Sequence, residues 1–380
     1  MTAILKTRLK QFLLLPLWFA LLAWPLMGGA GAAQLAMTLI LGGLSVWGIW
    51  SLSRTAGFKN IIVAPTRLFP LHFLRRRGDF FKKALTGCGG VILIILPLFL
   101  NNYYIDILSL AALYALLAIG LNITVGYTGL LDLGYAAFYG VGAYTYAILS
   151  TGFGLSFWLG LPLGAAVAAC FGLILGLITL RLRGDYLAII TLGFVQITYL
   201  CLNNWDTVTQ GPNGMMQIGR PALGSFVFRT PIHFYYLISV FVVLAAVAVH
   251  RLMQSQIGRA WIAIREDEVA AEAMGIDTTR IKTLAFVLGA AIAGVAGVLF
   301  SARYTFISPE SFTFLESVRI LSMVVLGGMG SLPGAILGAF LLTVLPEILR
   351  GLTNYRMLIF GIALVVMMVF RPQGLLGKRS

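Results

Sequence analysis

Charge is what this chain has least of. Asp, Glu, Lys and Arg make up 11% of its 380 residues, against about 25% in soluble globular domains. So little charge cannot clothe a solvated surface, and a soluble domain is excluded. Acidic residues are scarcer still, 13 against 27 basic ones, and no carboxylate dyad is visible. The three histidines, His72, His233 and His250, are scattered. The three cysteines, Cys88, Cys170 and Cys201, lie within or at the ends of apolar runs, with no CxxC pair. A metal centre, a disulfide framework and a Ser/His/Asp site are thereby unsupported, and the cysteines read as packing residues. No GxxxxGK[ST] loop is present, so the chain does not energise anything by its own nucleotide hydrolysis.

What is abundant is apolar sequence, 59% of the residues. A membrane-spanning helix needs roughly 20 mostly apolar residues, and about ten to twelve such stretches can be placed. The fold expected is an all-α, polytopic transmembrane bundle. The net charge of +14 marks no nucleic-acid surface, because no basic face with interleaved aromatics occurs outside the loops. Its distribution is a topology signal instead. Segments assigned to one side hold 21 of the 27 Lys and Arg residues: three before residue 12, eight in 53–83, Arg181 and Arg183, five in 251–282, and three in the tail. The other six are Arg220, Arg229, Arg303, Arg319, Arg350 and Arg356. This bias places the rich side, with both termini, in the cytoplasm.

Three divisions of the chain follow. Residues 1–83 hold two apolar runs and the basic loop 53–83. The first run and the small-residue tract GGAGAA (Gly28–Ala33) have the composition of a secretory signal. A second span, Leu35–Leu52, follows at once and favours a hairpin anchor. Residues 84–376 form the main transmembrane domain, and 377–380 a cytoplasmic tail.

Glycine clusters inside that domain. Five glycines fall in the 19 residues Gly126–Tyr144, with Asp132 among them. The pattern Gly126, Gly129, Gly134, Gly140, Gly142 is echoed by Gly327, Gly330, Gly334, Gly338 around GGMGSLPG. Transporters built from inverted repeats carry broken segments at matching positions, with the solute route between them. Asn122, Gly126, Gly129, Asp132, Gly134, Gly327, Gly328, Gly330 and Gly334 are therefore the candidate path and helix-break residues. For Asp132, a buried functional charge and a helix-capping role at the cytoplasmic interface both remain open. Small residues in Leu284–Ala302 (Gly289, Gly294, Gly297) favour close helix contacts.

Two polar stretches stand apart from the spans. Outside, Asn204–His233 contains the turn sequence Gln210, Gly211, Pro212, Asn213, Gly214, which suits either an ordered receiving surface or a plain connector. Inside, Gln254–Lys282 is long, charged and helix-prone. Arg265, Glu268 and Glu272 bracket Ala270, Ala271 and Ala273, and Gly275 suits a helix C-terminus. Such a segment reads as a docking helix for a cytoplasmic subunit, Ala271 and Gly275 having no room for bulk, or as a solvated connector.

That segment resembles, in degenerate form, the Glu-Ala-Ala-x-x-x-Gly loop of ABC-importer permeases, with Val269 in the glutamate slot. Beside it stand GLNITVGYTGLLDLGYAAFYGVGAY (Gly120–Tyr144), RLRGDYLAIITLGF (Arg181–Phe194), SPESFTF (Ser308–Phe314), VVLGGMGSLPGAILGAF (Val324–Phe340) and RPQGLL (Arg371–Leu376). Together they resemble the inner-membrane permeases of branched-chain amino acid importers, of the LivM type, over about Ile105 to Leu376. The resemblance implies a second, LivH-like permease chain, two ATP-binding subunits that bind and hydrolyse ATP, and an extracytoplasmic solute-binding protein. It implies a small amino-acid cargo and no cofactor held by this chain. Urea and amide importers share the architecture and are the runner-up. An ion-coupled carrier would need ionisable residues deep in its spans, whereas Asp132, Glu316 and Glu347 sit near span ends. A channel would need a pore-lining ring.

The charge count yields a test. In a cysteine-free background, single cysteines at Asn60, Gln256 and Lys378 should be shielded from an impermeant thiol reagent in intact cells, and one at Asn213 labelled. Labelling at Gln256 would contradict the topology.

Overall fold

The computed structural model describes residues 101–179, 184–224 and 226–348, with isolated positions at 97, 100, 361 and 374–376. The expected N-terminal hairpin, the basic loop 53–83, most of Ala84–Leu100, Met357–Phe370 and the end of the tail lie outside the described residues. All that is described belongs to one compact unit, Leu93–Ser380.

In the chain's order, α1 is Asn102–Leu121, prolonged by a π-helical turn, Asn122–Tyr127. Then come α2 (Tyr135–Phe153), α3 (Phe157–Thr179) and α4 (Asp185–Asn204). After an irregular stretch, α5 (Pro231–Gln254) leads into α6 (Gln256–Glu266) and α7 (Glu268–Ala273). The chain returns through α8 (Thr278–Tyr304), α9 (Phe314–Gly327) and α10 (Leu332–Ile348). Among the described residues, five helical stretches are long and apolar enough to cross a membrane: 102–127, 157–179, 186–204, 231–254 and 278–304. This is the helical architecture expected. Its one departure is a pair of two-residue ladders, in which Met215–Met216 (β1) pairs with Phe306–Ile307 (β4), and Ala222–Leu223 (β2) with Phe226–Val227 (β3).

The five spans differ in how they are used. The apolar window of 102–127 is 83% buried within the chain, whereas those of α3, α4 and α5 are each 28% buried. A helix apolar all round has to be surrounded, and α1 is surrounded by α5, α8, α9 and α10. The outer helices keep apolar side chains pointing away from the bundle, because lipid tails are as apolar as leucine and give no reason to hide them. Cys170 and Cys201, expected in packing roles, are both exposed for this reason.

With no hydrophobic drive between helices, contact depends on close approach of small residues. Helix α8 packs on α2 and α3. At the α2–α8 crossing a β-carbon on Gly142 would lie 2.4 Å from the Gly294 Cα, so the two backbones touch directly.

Two ends of the bundle can be told apart. One carries the π turn, α6, α7 and the α9–α10 corner. The other carries the start of α1, the strands and residues 305–313.

Gly142→Ile forces a branched side chain into the α2–α8 contact, where overpacking costs about 1–3 kcal/mol or more. The purified protein should unfold at a clearly lower temperature. Gly193→Ala, where an added β-carbon meets nothing within 4 Å, should leave that temperature within error.

Candidate functional site

The segment Gln254–Lys282 folds as two short helices meeting at a corner. Helix α6 is held to the bundle by Trp261, fully buried, whose Nε1 donates to the Ile281 carbonyl at 2.9 Å. Asp267 adopts extended backbone, ends α6 and caps α7, its Oδ1 accepting from the amides of Val269 (2.9 Å) and Ala270 (3.1 Å). Such a cap satisfies N–H groups that have no partner inside the helix. At the other end of α7 the Gly275 amide donates to Glu272 and that of Ile276 to Ala271. With Gly275 at φ +85° this is the left-handed C-terminal cap that glycine favours.

The residues expected to dock a partner divide by this geometry. Ala270 and Glu272 are exposed, and Ala271 is buried within the chain itself. A bulky residue at Ala271 therefore clashes internally. A β-carbon on Gly275 would meet nothing within 4 Å, so what constrains that position in this chain is its positive φ and not its space. Glu268 forms a 2.5 Å ion pair with the nearly buried Lys282, the first turn of α8. The large apolar side chains left outward, unsignalled by pattern alone, are Ile262 on α6 (45% exposed), Val269 (61%) and Met274 (84%).

Arg265 turns back towards the bundle. Its Nη1 donates to the Gly126 carbonyl at 2.6 Å, within the π turn. In the same turn, Asn122 Oδ1 accepts the amide of Gly330 at 2.9 Å. Glycine at 126 makes room for that reach, since a β-carbon there would lie 1.9 Å from Asn122 Oδ1 and 2.6 Å from the Gly330 nitrogen. A β-carbon on Gly330 would sit 2.8 Å from Arg265 Nη1, and one on Gly129 3.1 Å from Arg265 Cγ. Asn122, Gly126, Gly129 and Gly330, singled out as helix breaks, thus converge on a residue singled out for docking. That the two sets meet was not visible in sequence.

The remaining path residues lie on either side. Gly327, Gly328 and Gly334 form the α9–α10 corner, where an added β-carbon on Gly327 would fall 2.1 Å from the Gly334 carbonyl oxygen. The amides of Leu375 and Leu376 donate to the Leu326 and Gly327 carbonyls at 2.9 and 3.0 Å. Leu375 and Leu376, the last two residues of the RPQGLL motif, therefore close this corner, a role that sequence did not suggest. Asp132 and Gly134 stand apart from the node. Asp132 is fully buried and its Oδ1 accepts from the Gly134 amide at 2.9 Å, ahead of α2. The bond closes a two-residue turn before α2, whose N-cap is Gly134, and the other carboxylate oxygen of Asp132 is buried without a hydrogen-bond partner among the described residues. The neighbouring Leu133 amide donates to Thr191 of α4 at 3.0 Å.

At the opposite end, Gln210 (φ 59°), Gly211 (φ 53°) and Gly214 (φ 70°) make consecutive left-handed turns around Pro212 and Asn213. With Asp206, residues Gln210, Pro212 and Asn213 line an open recess of about 580 Å³.

Arg265→Ala and Asn122→Ala each remove one strut of the node. Their destabilisations should be non-additive by about 0.5–3 kcal/mol, as for residues sharing one network. Strict additivity in a double-mutant cycle on the purified protein would mean that the two hydrogen bonds are independent.

A family described as "Branched-chain amino acid transport system / permease component" matches residues 103–368. The Escherichia coli (strain K12) high-affinity branched-chain amino acid transport system permease protein LivM is 45% identical, over 75% of this chain and 73% of its own. The Salmonella typhimurium permease protein LivH is 28% identical, over 71% of this chain and 93% of its own. Pseudomonas aeruginosa BraD, a permease protein of the same kind of system, is 30% identical over 71% and 94%. No solved structure matches the chain.

Proposed function

This chain belongs to the family of permease components of branched-chain amino acid transport systems, and we propose that its loop Gln254–Lys282 is where ATP-binding subunits drive it. It is a multi-pass membrane protein and carries no ATPase of its own. Its domain is taken as residues 84–376, with 1–83 an added hairpin and basic loop and 377–380 a tail. The docking end faces the cytoplasm, as do both termini, and the membrane is the bacterial inner membrane.

The observation that carries this reading is the Arg265 node. An external motor can move a transmembrane path only through a rigid connection. Arg265 supplies one, joining the exposed α6–α7 corner to the break after α1 and, through Asn122, to the turn at Gly330. On its outward side α7 offers Val269 and Met274, apolar anchors of the kind that fill a groove on a partner. Glu272 and Ala270 flank them.

The second permease chain is LivH-like. One fold serves for both, since the chain is related to LivH as well as LivM. Two such halves place the breaks at Asn122–Gly134 and Gly327–Gly334 beside a shared path, the inverted-repeat arrangement expected from the glycine pattern. On the far side, Gln210–Gly214 offers the solute-binding protein a surface of fixed shape. The cargo is a branched-chain amino acid, as the names of the relatives indicate for their own systems.

Met274→Asp and Val269→Asp put charge on side chains that touch little of this chain, so insertion and abundance should stay normal. The ATP-binding subunits should be lost on co-purification, and uptake of labelled leucine, isoleucine and valine by the reconstituted complex should fall at least about tenfold. Retention of the ATPases with normal uptake would reduce the loop to a connector.

A further inference from the structure

Arg265 ties the α6–α7 corner to the π turn. A second joint lies on the other side of that corner, between α7 and the start of α8. Glu268, the first residue of α7, forms a 2.5 Å ion pair with Lys282 Nζ. One residue earlier on α8, the Ile281 carbonyl accepts the hydrogen bond of Trp261 from α6. Two consecutive positions of α8 therefore hold both docking helices.

Lys282 is the informative residue. A lysine near the end of a span ordinarily extends its ammonium to water, with its stem along apolar surface. Arg280, two residues earlier, stays in solvent, its side chain 86% exposed. The Lys282 side chain is 7% exposed and that of Glu268 21%. Removing both charges from water is costly, and a buried ion pair adds little stability over an apolar pair of the same size. What it does supply is one permitted arrangement, because either charge moved away from the other is left buried and unmatched. The Glu268 carboxylate is thus directed at this chain, while Val269 and Met274 are left for a partner.

Beyond Lys282, α8 is packed on bare backbone. A β-carbon on Gly176 of α3 would lie 3.2 Å from the Thr283 Cα, and one on Gly294 2.7 Å from the Gly164 carbonyl oxygen. One on Gly297 would lie 2.2 Å from the Tyr139 carbonyl oxygen of α2. Close packing of this kind has low compressibility and transmits strain. The neighbours reached in this way are α2 and α3, whereas the Arg265 node reaches the π turn and the α9–α10 corner.

We infer that Lys282 is a positioning residue for coupling. By holding Glu268 it sets α7 on α8, so that a pull on Val269 and Met274 is passed to α8 and from there to α2 and α3. This route is separate from Arg265. The inference rests on the proposed docking of ATP-binding subunits at the loop and deepens it, because the loop's glutamate then serves transmission and not the hold on the partner.

The test uses the assembled complex with its binding protein in proteoliposomes, and reads ATP hydrolysed per leucine imported. Glu268→Gln alone leaves Lys282 buried without its counter-charge and should lower the unfolding temperature, so the deciding variant replaces both. Glu268→Gln with Lys282→Met removes both charges at similar volume, a change close to neutral for folding. That double variant should insert at normal abundance, unfold near the wild-type temperature and keep its ATP-binding subunits on co-purification. ATP hydrolysed per leucine should nevertheless rise about fivefold or more, the loss of one allosteric coupling. Lys282→Arg, which keeps the charge, should stay near the wild-type ratio. A wild-type ratio in the double variant would make the pair structural only and overturn the inference. Loss of the ATP-binding subunits from it would assign the pair to docking and overturn it equally. Neither result touches the proposed function, which falls instead if the Val269→Asp and Met274→Asp complexes keep their ATPases and normal uptake.

Discussion

A backbone carbonyl freed by a helix break inside a membrane protein must find a donor in the protein, because lipid offers none. The contact between Arg265 and the Gly126 carbonyl answers that need, and much of the described architecture depends on it. Helix α1 does not end cleanly. It widens into a π turn, and such turns leave backbone groups whose usual ladder is disturbed. Arg265 meets one of those groups, the Gly126 carbonyl, from the α6 helix, and Asn122, itself within the turn, accepts from the Gly330 amide. Stability at the break and contact with the loop are thus supplied by the same side chain.

The rest of the bundle follows from how helices associate without a hydrophobic effect. Helix α8 touches α2 and α3 through bare backbone, with Gly142 against Gly294. Helix α1 is buried all round, while α3, α4 and α5 leave most of their apolar windows facing outwards. One guanidinium joins α6 to the π turn, and one amide side chain joins that turn to the corner between α9 and α10.

Much of this was legible in sequence, for identifiable reasons. Apolar length fixes spans, since a helix must cover the hydrocarbon thickness. Gly129 and Gly330, both at positive φ between helices, were recognisable as breaks, whereas Gly126 lies within the π turn and Gly334 within α10. Hydrophobic patterning in a bilayer does not say which face of a span is inside, and so the exposure of Cys170 and Cys201 was not foreseen. Nor could sequence place Arg265. Its spacing within the loop identifies a helix, but the direction of a guanidinium is decided by the carbonyl that it meets, 139 positions away in the chain. The same limit hid the ion pair of Glu268 with Lys282 and the closure of the α9–α10 corner by Leu375 and Leu376. Each joins segments whose separation is erased only by folding.

The central claim is that the loop moves the break, through Arg265. Pulsed electron paramagnetic resonance can follow it in the assembled complex, with the native cysteines replaced and spin labels placed at Met329, on the corner, and Phe153, at the far end of α2. Both side chains are exposed. The distance between the labels should change when ATP and vanadate trap the ATPase subunits, and Arg265→Ala should abolish that change while the ATPases stay bound. An unaltered change in the Arg265→Ala complex would show that the corner is driven by some other route.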